Sequence, residues 1–149
     1  MNVIDTISAV LHNKGNAVWF VAPGATVYEA LQVMADKNTG ALLVMQDDKL
    51  LGMISERDYT RKVILQGKSS KQTLVREIMT SPVITVGPEH RVDDCMRLMT
   101  DNRIRHLPVV QGEKVLGVIS IGDLVNWIIS AQEATIDQLE NYITGKYPA

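Results

Sequence analysis

Adding 65 to a residue number in the first half of this chain returns a residue of the same kind in the second half. Val21 and Val86, Pro23 and Pro88, Val27 and Val92, Met34 and Met99, and Asp36 and Asp101 pair in this way. The register runs on without a gap through Leu42 and Leu107, Val44 and Val109, Gln46 and Gln111, and Lys49 and Lys114. Its most regular part comes last, where Leu51, Gly52, Ile54, Ser55 and Asp58 match Leu116, Gly117, Ile119, Ser120 and Asp123. A repeat of this period is one supersecondary unit used twice. Upstream the register slips by three: Val10-Leu11 pairs with Ile78-Met79, so the His12–Ala17 connection is longer than Thr80–Pro82.

Within the first copy, Val18 to Val21 reads as a short strand. Thr26-Val27-Tyr28-Glu29 fits a capping box that opens a helix with Val27, Ala30, Leu31 and Met34 on its apolar face. Asn38-Thr39-Gly40 closes it. Ala41 to Met45 and Leu50 to Ile54 are apolar strands joined at Asp47-Asp48, a hairpin signal. Ser55 begins a helix that runs to about Leu65 and stops at Gly67. Met1 to Asn13 carries Ile4, Ile7, Val10 and Leu11 at helical spacing and breaks at Lys14-Gly15-Asn16. After Ile129 a further amphipathic helix runs from Ala131 to Thr144 through Ile136, Leu139 and Ile143. The expected organisation is therefore repeat 1 over 6–66, a polar linker over 67–73, repeat 2 over 74–130, and a C-terminal helix and tail over 131–149.

A unit of roughly 60 residues has a marginal core by itself. Each copy offers a three-stranded sheet with two helices, and one sheet face needs a cover. The expected fold is α/β (α+β), with the two repeats packed sheet to sheet about a pseudo-two-fold axis. That symmetry produces two equivalent clefts between the repeats.

The repeated Ser-x-x-Asp ends a strand and starts a helix, which brings backbone N–H groups, a hydroxyl and a carboxylate to one edge. One such copy reads equally well as a helix cap. Its recurrence at the same place in both repeats favours a small polar ligand, and the two roles are compatible.

Three pieces carry a family likeness: Val75-Arg76-Glu77-Ile78-Met79-Thr80, Arg103-Ile104-Arg105-His106-Leu107-Pro108-Val109-Val110, and Leu116 to Asp123. These residues resemble the CBS (cystathionine-β-synthase) domain family, over roughly residues 6–130. The first repeat departs from it at Asn38 to Val44, where Arg, His and Pro are missing. The resemblance implies a stand-alone tandem pair, a Bateman module, that takes adenosine-containing regulatory ligands: AMP, ADP, ATP, NAD(H) or S-adenosylmethionine. It implies ribose contacts from Asp58 and Asp123, with Ser55 and Ser120 beside them. One cleft is then expected to hold adenine with Ser81, Pro82, Val83 and Leu107, with Arg105 and His106 at the phosphates and Ser120 and Asp123 at the ribose. The other is expected to use Gly15, Ala17, Val18, Ala41 and Leu42 with Ser55 and Asp58. Arg57 and Arg61, i,i+4 on one helix, and Lys14 are further phosphate candidates, set against a plain solvated face and a loop lysine. Of the two, the Asp123 cleft has the fuller motif and is expected to bind more tightly.

The remaining chemistry bounds the alternatives. The 149 residues carry a net charge of −2, which gives no general attraction for nucleic acid or anionic membrane. Cys95 is the single cysteine, which excludes an internal disulfide, and it replaces Ala30 in the repeat as a small core residue. Three scattered histidines lack metal-ligand spacing. There is no nucleophile–base pair and no glycine-rich nucleotide loop, so the expectation is not an enzyme, with no required cofactor and no metal. With no long apolar run and no signal peptide, the expected location is cytoplasmic. Tyr59, Val63, Leu124, Trp127 and Ile128 form a possible apolar strip for a homodimer, whose conformation an unidentified regulated protein would read. The alternatives are an interaction scaffold with vestigial clefts and, less in keeping with the charge, an RNA binder.

Overall fold

The computed structural model describes residues 5–15 and 17–145. Ile4 and Asn16, which entered the reading of the first helix and its break, lie outside them. The element order is α1 (Ile7–Lys14), β1 (Phe20–Val21), α2 (Val27–Lys37), β2 (Ala41–Gln46), β3 (Lys49–Ser55) and α3 (Glu56–Lys62). A 3-10 turn (Ile64–Gln66) follows, then α4 (Val75–Ile78), α5 (Val92–Asn102), β4 (His106–Gln111), β5 (Lys114–Ser120) and α6 (Ile121–Ile143). It is a mixed α/β molecule with two small sheets, as the repeat requires.

Local chemistry sets these elements. Thr26 Oγ1 accepts from Glu29 N–H at 3.1 Å, and the Glu29 carboxylate accepts from Thr26 N–H at 3.4 Å, the expected capping box. Asn38 ends α2 in the left-handed region at φ 53°. Asp47 and Asp48, at φ 52° and 62°, make the two-residue turn whose twist suits a hairpin, and β2 and β3 pair antiparallel across it.

The polar stretch after Gly67 is tied down. Ser70 and Thr73 carbonyls accept from Tyr28 and Val27 N–H at 2.9 and 2.8 Å, satisfying two first-turn donors of α2 that have no partner within the helix.

The first sheet has three strands, with β1 parallel to β2 through Phe20–Leu43 and Val21–Val44. The second sheet has two, and the third strand expected there shrinks to one parallel bridge, Val86 to Val109. Proline explains the loss. Leu43 N–H donates to the Trp19 carbonyl at 3.2 Å, whereas its counterpart Pro108 has no N–H to offer Ile84.

The two cores are closed by exchanged helices. Ile7, Val10 and Leu11 of α1 pack with Val92, Met99, Leu107, Val109, Ile119 and Leu124 of the second repeat. Val75 and Ile78 of α4 pack with Val27, Met34, Leu42, Val44, Ile54 and Val63 of the first. Equivalent backbone bonds fix both crossings. Ile7 and Ser8 N–H donate to His90 and Pro88 carbonyls at 2.8 and 2.9 Å, while Val75 and Arg76 N–H donate to Ala25 and Pro23 at 2.8 and 3.0 Å. Cys95 lies in the second core, where burial and then Asp94 and Asp93 push its thiol up to about 11.

The apolar strip expected for a dimer is largely internal. Val63 and Leu124 are completely buried, and Tyr59, Trp127 and Ile128 pack on their own cores. The exposed apolar residues sit one step round the helices, at Ile64, Leu65, Val125 and Ile129.

The exchanged segments run so close to β3 and β5 that both need glycine. A Cβ on Gly52 would stand 2.8 Å from the Thr80 carbonyl oxygen and 2.9 Å from Met79 Sδ, and one on Gly117 would stand 2.7 Å from Leu11 Cδ2. Backbone cannot swing aside as a leucine methyl can. Gly52→Ala is expected to lower stability by about 1–3 kcal/mol, and Gly117→Ala by clearly less, in urea unfolding. Equal losses would refute the close approach of Thr80 as the cause.

Candidate functional site

Each Ser-x-x-Asp sits at a strand-to-helix corner, and each is built as a cap. Asp58 Oδ2 accepts from Ser55 N–H at 2.9 Å and Ser55 Oγ at 3.1 Å, while Asp58 N–H donates to Ser55 Oγ at 3.2 Å. In the second copy, Asp123 Oδ2 accepts from Ser120 N–H at 2.8 Å and Asp123 N–H donates to Ser120 Oγ at 3.1 Å. Both corners also open on clefts between the repeats, so capping does not remove them from the surface a ligand would meet.

The grouping of residues in those clefts differs from the sequence expectation. Ser120 and Asp123 share a cleft of about 440 Å³ with Gly15, Ala17 and Ala41, not with Pro82 and Val83. Ser55 and Asp58 share one of about 270 Å³ with Thr80, Pro82 and Val83. The reason is the helix exchange: the chain leaving α1 starts from the second core, and the chain leaving α4 from the first, so each connection passes the other repeat's corner.

Strand alternation accounts for the next corrections. Leu42 and Leu107 point into the cores, at 1% and 0% exposure, and line neither cleft. Their neighbours face the clefts instead, since successive side chains take opposite faces. Ala41 and Leu43 do so from β2, and His106 does so from β4. Val18 turns to a separate hollow between the two hairpins, and Trp19 takes the cleft side. Ser81 Oγ donates to the Leu51 carbonyl at 2.7 Å, and neither Ser81 nor the exposed Arg61 and Arg105 lines either cleft.

Several lining residues were missed. Lys37, Asn38, Thr39 and Gly40 at the end of α2, with Met53 and Val118, complete the Asp123 cleft. Arg103 joins Arg57 in the Asp58 cleft, where Arg57 Nη1 donates to the Arg103 carbonyl at 3.2 Å. The signal was available in the repeat. Asn38 and Arg103 are 65 apart, and both end a helix at φ 53°.

The electrostatics of the two corners are unequal. Lys14 Nζ contacts Asp123 Oδ2 at 2.6 Å and the Val118 carbonyl at 2.8 Å, so the insertion lysine sits on the second carboxylate. Asp58 pairs with Lys62, four residues on in its own helix, at 3.1 Å. Burial alone would raise the Asp123 pKa. Hydrogen bonds from Lys14 and Ser120 and the lysine's charge outweigh burial and hold it below the usual carboxylate range. Burial, then Lys14 and Arg105, push His106 below its ordinary value against the pull of Asp123. His106 and its counterpart Ala41 each line both clefts, forming a shared wall.

Among the described residues no group of His, Cys, Asp and Glu is placed to hold a metal ion. None of their helices is long and apolar enough to cross a membrane.

The model of the CBS domain matches residues 15–64 and 75–130, both repeats. This chain belongs to the CBS domain family. A relative, the CBS domain-containing protein CBSX3, mitochondrial, of Arabidopsis thaliana, is 44% identical over 95% of this chain and 73% of its own length. A protein with CBS domains from Burkholderia ambifaria is 47% identical, with a TM-score of 0.83 over 86% of this chain and 96% of that one. The CBS domain pair of protein MJ0100, solved with 5′-methylthioadenosine and S-adenosyl-L-methionine, shares the fold at 24% identity and a TM-score of 0.77, over 86% of this chain and 98% of that one.

Stability should carry the signature of both perturbed groups. His106 has a lowered folded pKa, so its contribution is complete above about pH 6.5 and is lost as pH falls through the folded value. Asp123 behaves alike at lower pH, its contribution present above about pH 4 and lost as pH falls through its depressed value. Thermal melts across pH should show His106→Gln flattening the slope between about pH 7 and 5, and Lys14→Met flattening it below about pH 4. Identical slopes in all three proteins would rule out this account of the corner.

Proposed function

We propose that this CBS pair is a regulatory module that binds adenosine-containing ligands between its repeats, with the Asp123 cleft as the principal site. The observation that carries the reading is the cleft at the Ser120–Asp123 corner. There a carboxylate fixed by a backbone N–H faces a space of about 440 Å³, within the usual range for small-molecule sites. A carboxylate accepts from both vicinal hydroxyls of a ribose, a charge-assisted pair of bonds. The apolar part of the lining, Ala17, Leu43, Met53 and Val118, suits a flat base. Lys14, Lys37 and neighbouring Gly40 give the mouth cationic groups and an open backbone.

Lys14 must be displaced from Asp123 for a ribose to reach it, and the displaced ammonium is then available to a phosphate. That exchange favours AMP, ADP, ATP or NAD(H) over S-adenosylmethionine, which brings cations of its own to a cleft already holding two lysines. The regulatory output is a change in the population of conformers, whose size is limited by the ligand's differential affinity for them. A homodimer built on the exposed Ile64, Leu65 and Ile129 and read by another protein completes the proposal.

One specific observation favours the rival reading of a scaffold with vestigial clefts: the Lys14–Asp123 pair already satisfies the corner. Ligand titration separates the two. Nucleotide-stripped protein is expected to gain roughly 5–11 °C in melting temperature at 100 times the Kd of its best ligand among AMP, ADP, ATP, NAD, NADH and S-adenosylmethionine. Asp123→Ala should abolish the shift, while Asp58→Ala retains it. A flat panel to millimolar concentration would leave the scaffold reading in place. Loss of the strongest shift in Asp58→Ala alone would transfer the site to the smaller cleft.

A further inference from the structure

α6 is 23 residues long, far longer than its counterpart α3 at 7. Its first turns belong to the second core through Leu124, Ile121, Trp127 and Ile128. From Gln132 to Glu140 every residue is exposed. A projecting segment of that length is marginal as a helix in water. Its charges make matters worse. Glu133 and Asp137 are like charges at i,i+4, Glu140 lies near the negative C-terminal end, and there is no Lys or Arg between Ile121 and Ile143.

What this segment has is a seam. Val125, Ile129, Gln132, Ile136, Leu139 and Ile143 follow one another in steps of four and three, the 3.5-residue period of a coiled coil. The five apolar members are between 40% and 81% exposed, so the seam faces solvent along its whole length. We propose that it pairs with the same seam of a second copy of this chain, as a parallel, in-register, two-stranded coiled coil.

The flanking residues select that occupant and direction. With Ile129 and Ile136 at a and Gln132 and Leu139 at d, the e positions are Asn126, Glu133 and Glu140, and the g positions include Ile128 and Thr135. In a parallel pair e faces g, so Glu133 meets Ile128 and Glu140 meets Thr135, and no like charges touch. An antiparallel pair brings the two Glu133–Glu140 edges together. Register in a parallel pair also sets Gln132 against its own copy, and one amide can both donate to and accept from another. This surface shares Ile129 with the homodimer face proposed above, leaves out Ile64 and Leu65, and needs no ligand in either cleft.

Cysteine scanning of the full chain tests the pairing, because native Cys95 is buried and its thiol is pushed up to about 11. Leu139→Cys is expected to form a disulfide-linked dimer under mild oxidation at least ~10 times faster than Gln138→Cys, which lies off the seam. Amides from 132 to 143 are expected to exchange with deuterium ~10 times more slowly in the native chain than in Ile136→Asp/Leu139→Asp. Equal crosslinking of the two cysteine variants would overturn the pairing and leave the seam to a helix of another protein. Crosslinking only in a mixture of Val125→Cys with Leu139→Cys would overturn the parallel direction. Exchange equally fast with and without the seam would show that nothing covers it.

Discussion

Everything in this molecule depends on the exchange of α1 and α4. Neither repeat closes its own core: Ile7, Val10 and Leu11 seal the second, and Val75 and Ile78 seal the first. The covalent connection between repeats is thus drawn across the interface instead of lying outside it. Unfolding of one repeat strips a helix from the other, which makes two marginal units into one cooperative body. The same crossing decides which connection borders which cleft, so the site is a consequence of the core.

The two halves of that exchange are not copies. After α4 the chain returns directly, and Thr80 pairs with Met53 through bonds of 3.1 and 2.8 Å in one antiparallel bridge beside β3. After α1 the connection is three residues longer, and the Val118 carbonyl, counterpart of Met53, accepts from Lys14 Nζ. A second substitution makes the lysine's position intelligible. Lys62, which pairs with Asp58, has Trp127 as its counterpart, and Trp127 Nε1 donates to Asp5 at 2.9 Å. The second carboxylate therefore has no lysine in its own helix and takes one from the insertion.

Much of this was legible in the residues. The +65 register, the capping box at Thr26, the Asp47-Asp48 hairpin and the two Ser-x-x-Asp corners are local patterns with local causes, and they hold in the structure. The pairing of clefts was not legible, because which core receives α1 depends on a crossing that no local pattern encodes. Leu42 and Leu107 are a different kind of miss. Alternation forbids both members of Ala41-Leu42 from facing one cleft, and the choice between them needed only the apolar neighbours of each strand. Arg105, expected from its motif, and Arg61, expected from its helix spacing to Arg57, are both exposed and line neither cleft. Arg103, in the same motif, lines the Asp58 cleft because it ends α5 in a left-handed turn.

The repeat guarantees two corners of one geometry, and the departures from the repeat give each its chemistry. Ala41 and His106 hold equivalent places on the wall common to both clefts, yet one is inert and the other titrates below its ordinary range. Lys14 depresses both Asp123 and His106, so a group that draws Lys14 away acts on the carboxylate and on the shared wall at once. Lys62 instead joins Asp58 to the Ile78 carbonyl at the end of α4, at 3.1 and 2.9 Å. The asymmetry that a three-residue insertion introduces is therefore electrostatic before it is steric, and it makes one of two equivalent clefts the one that responds to charge.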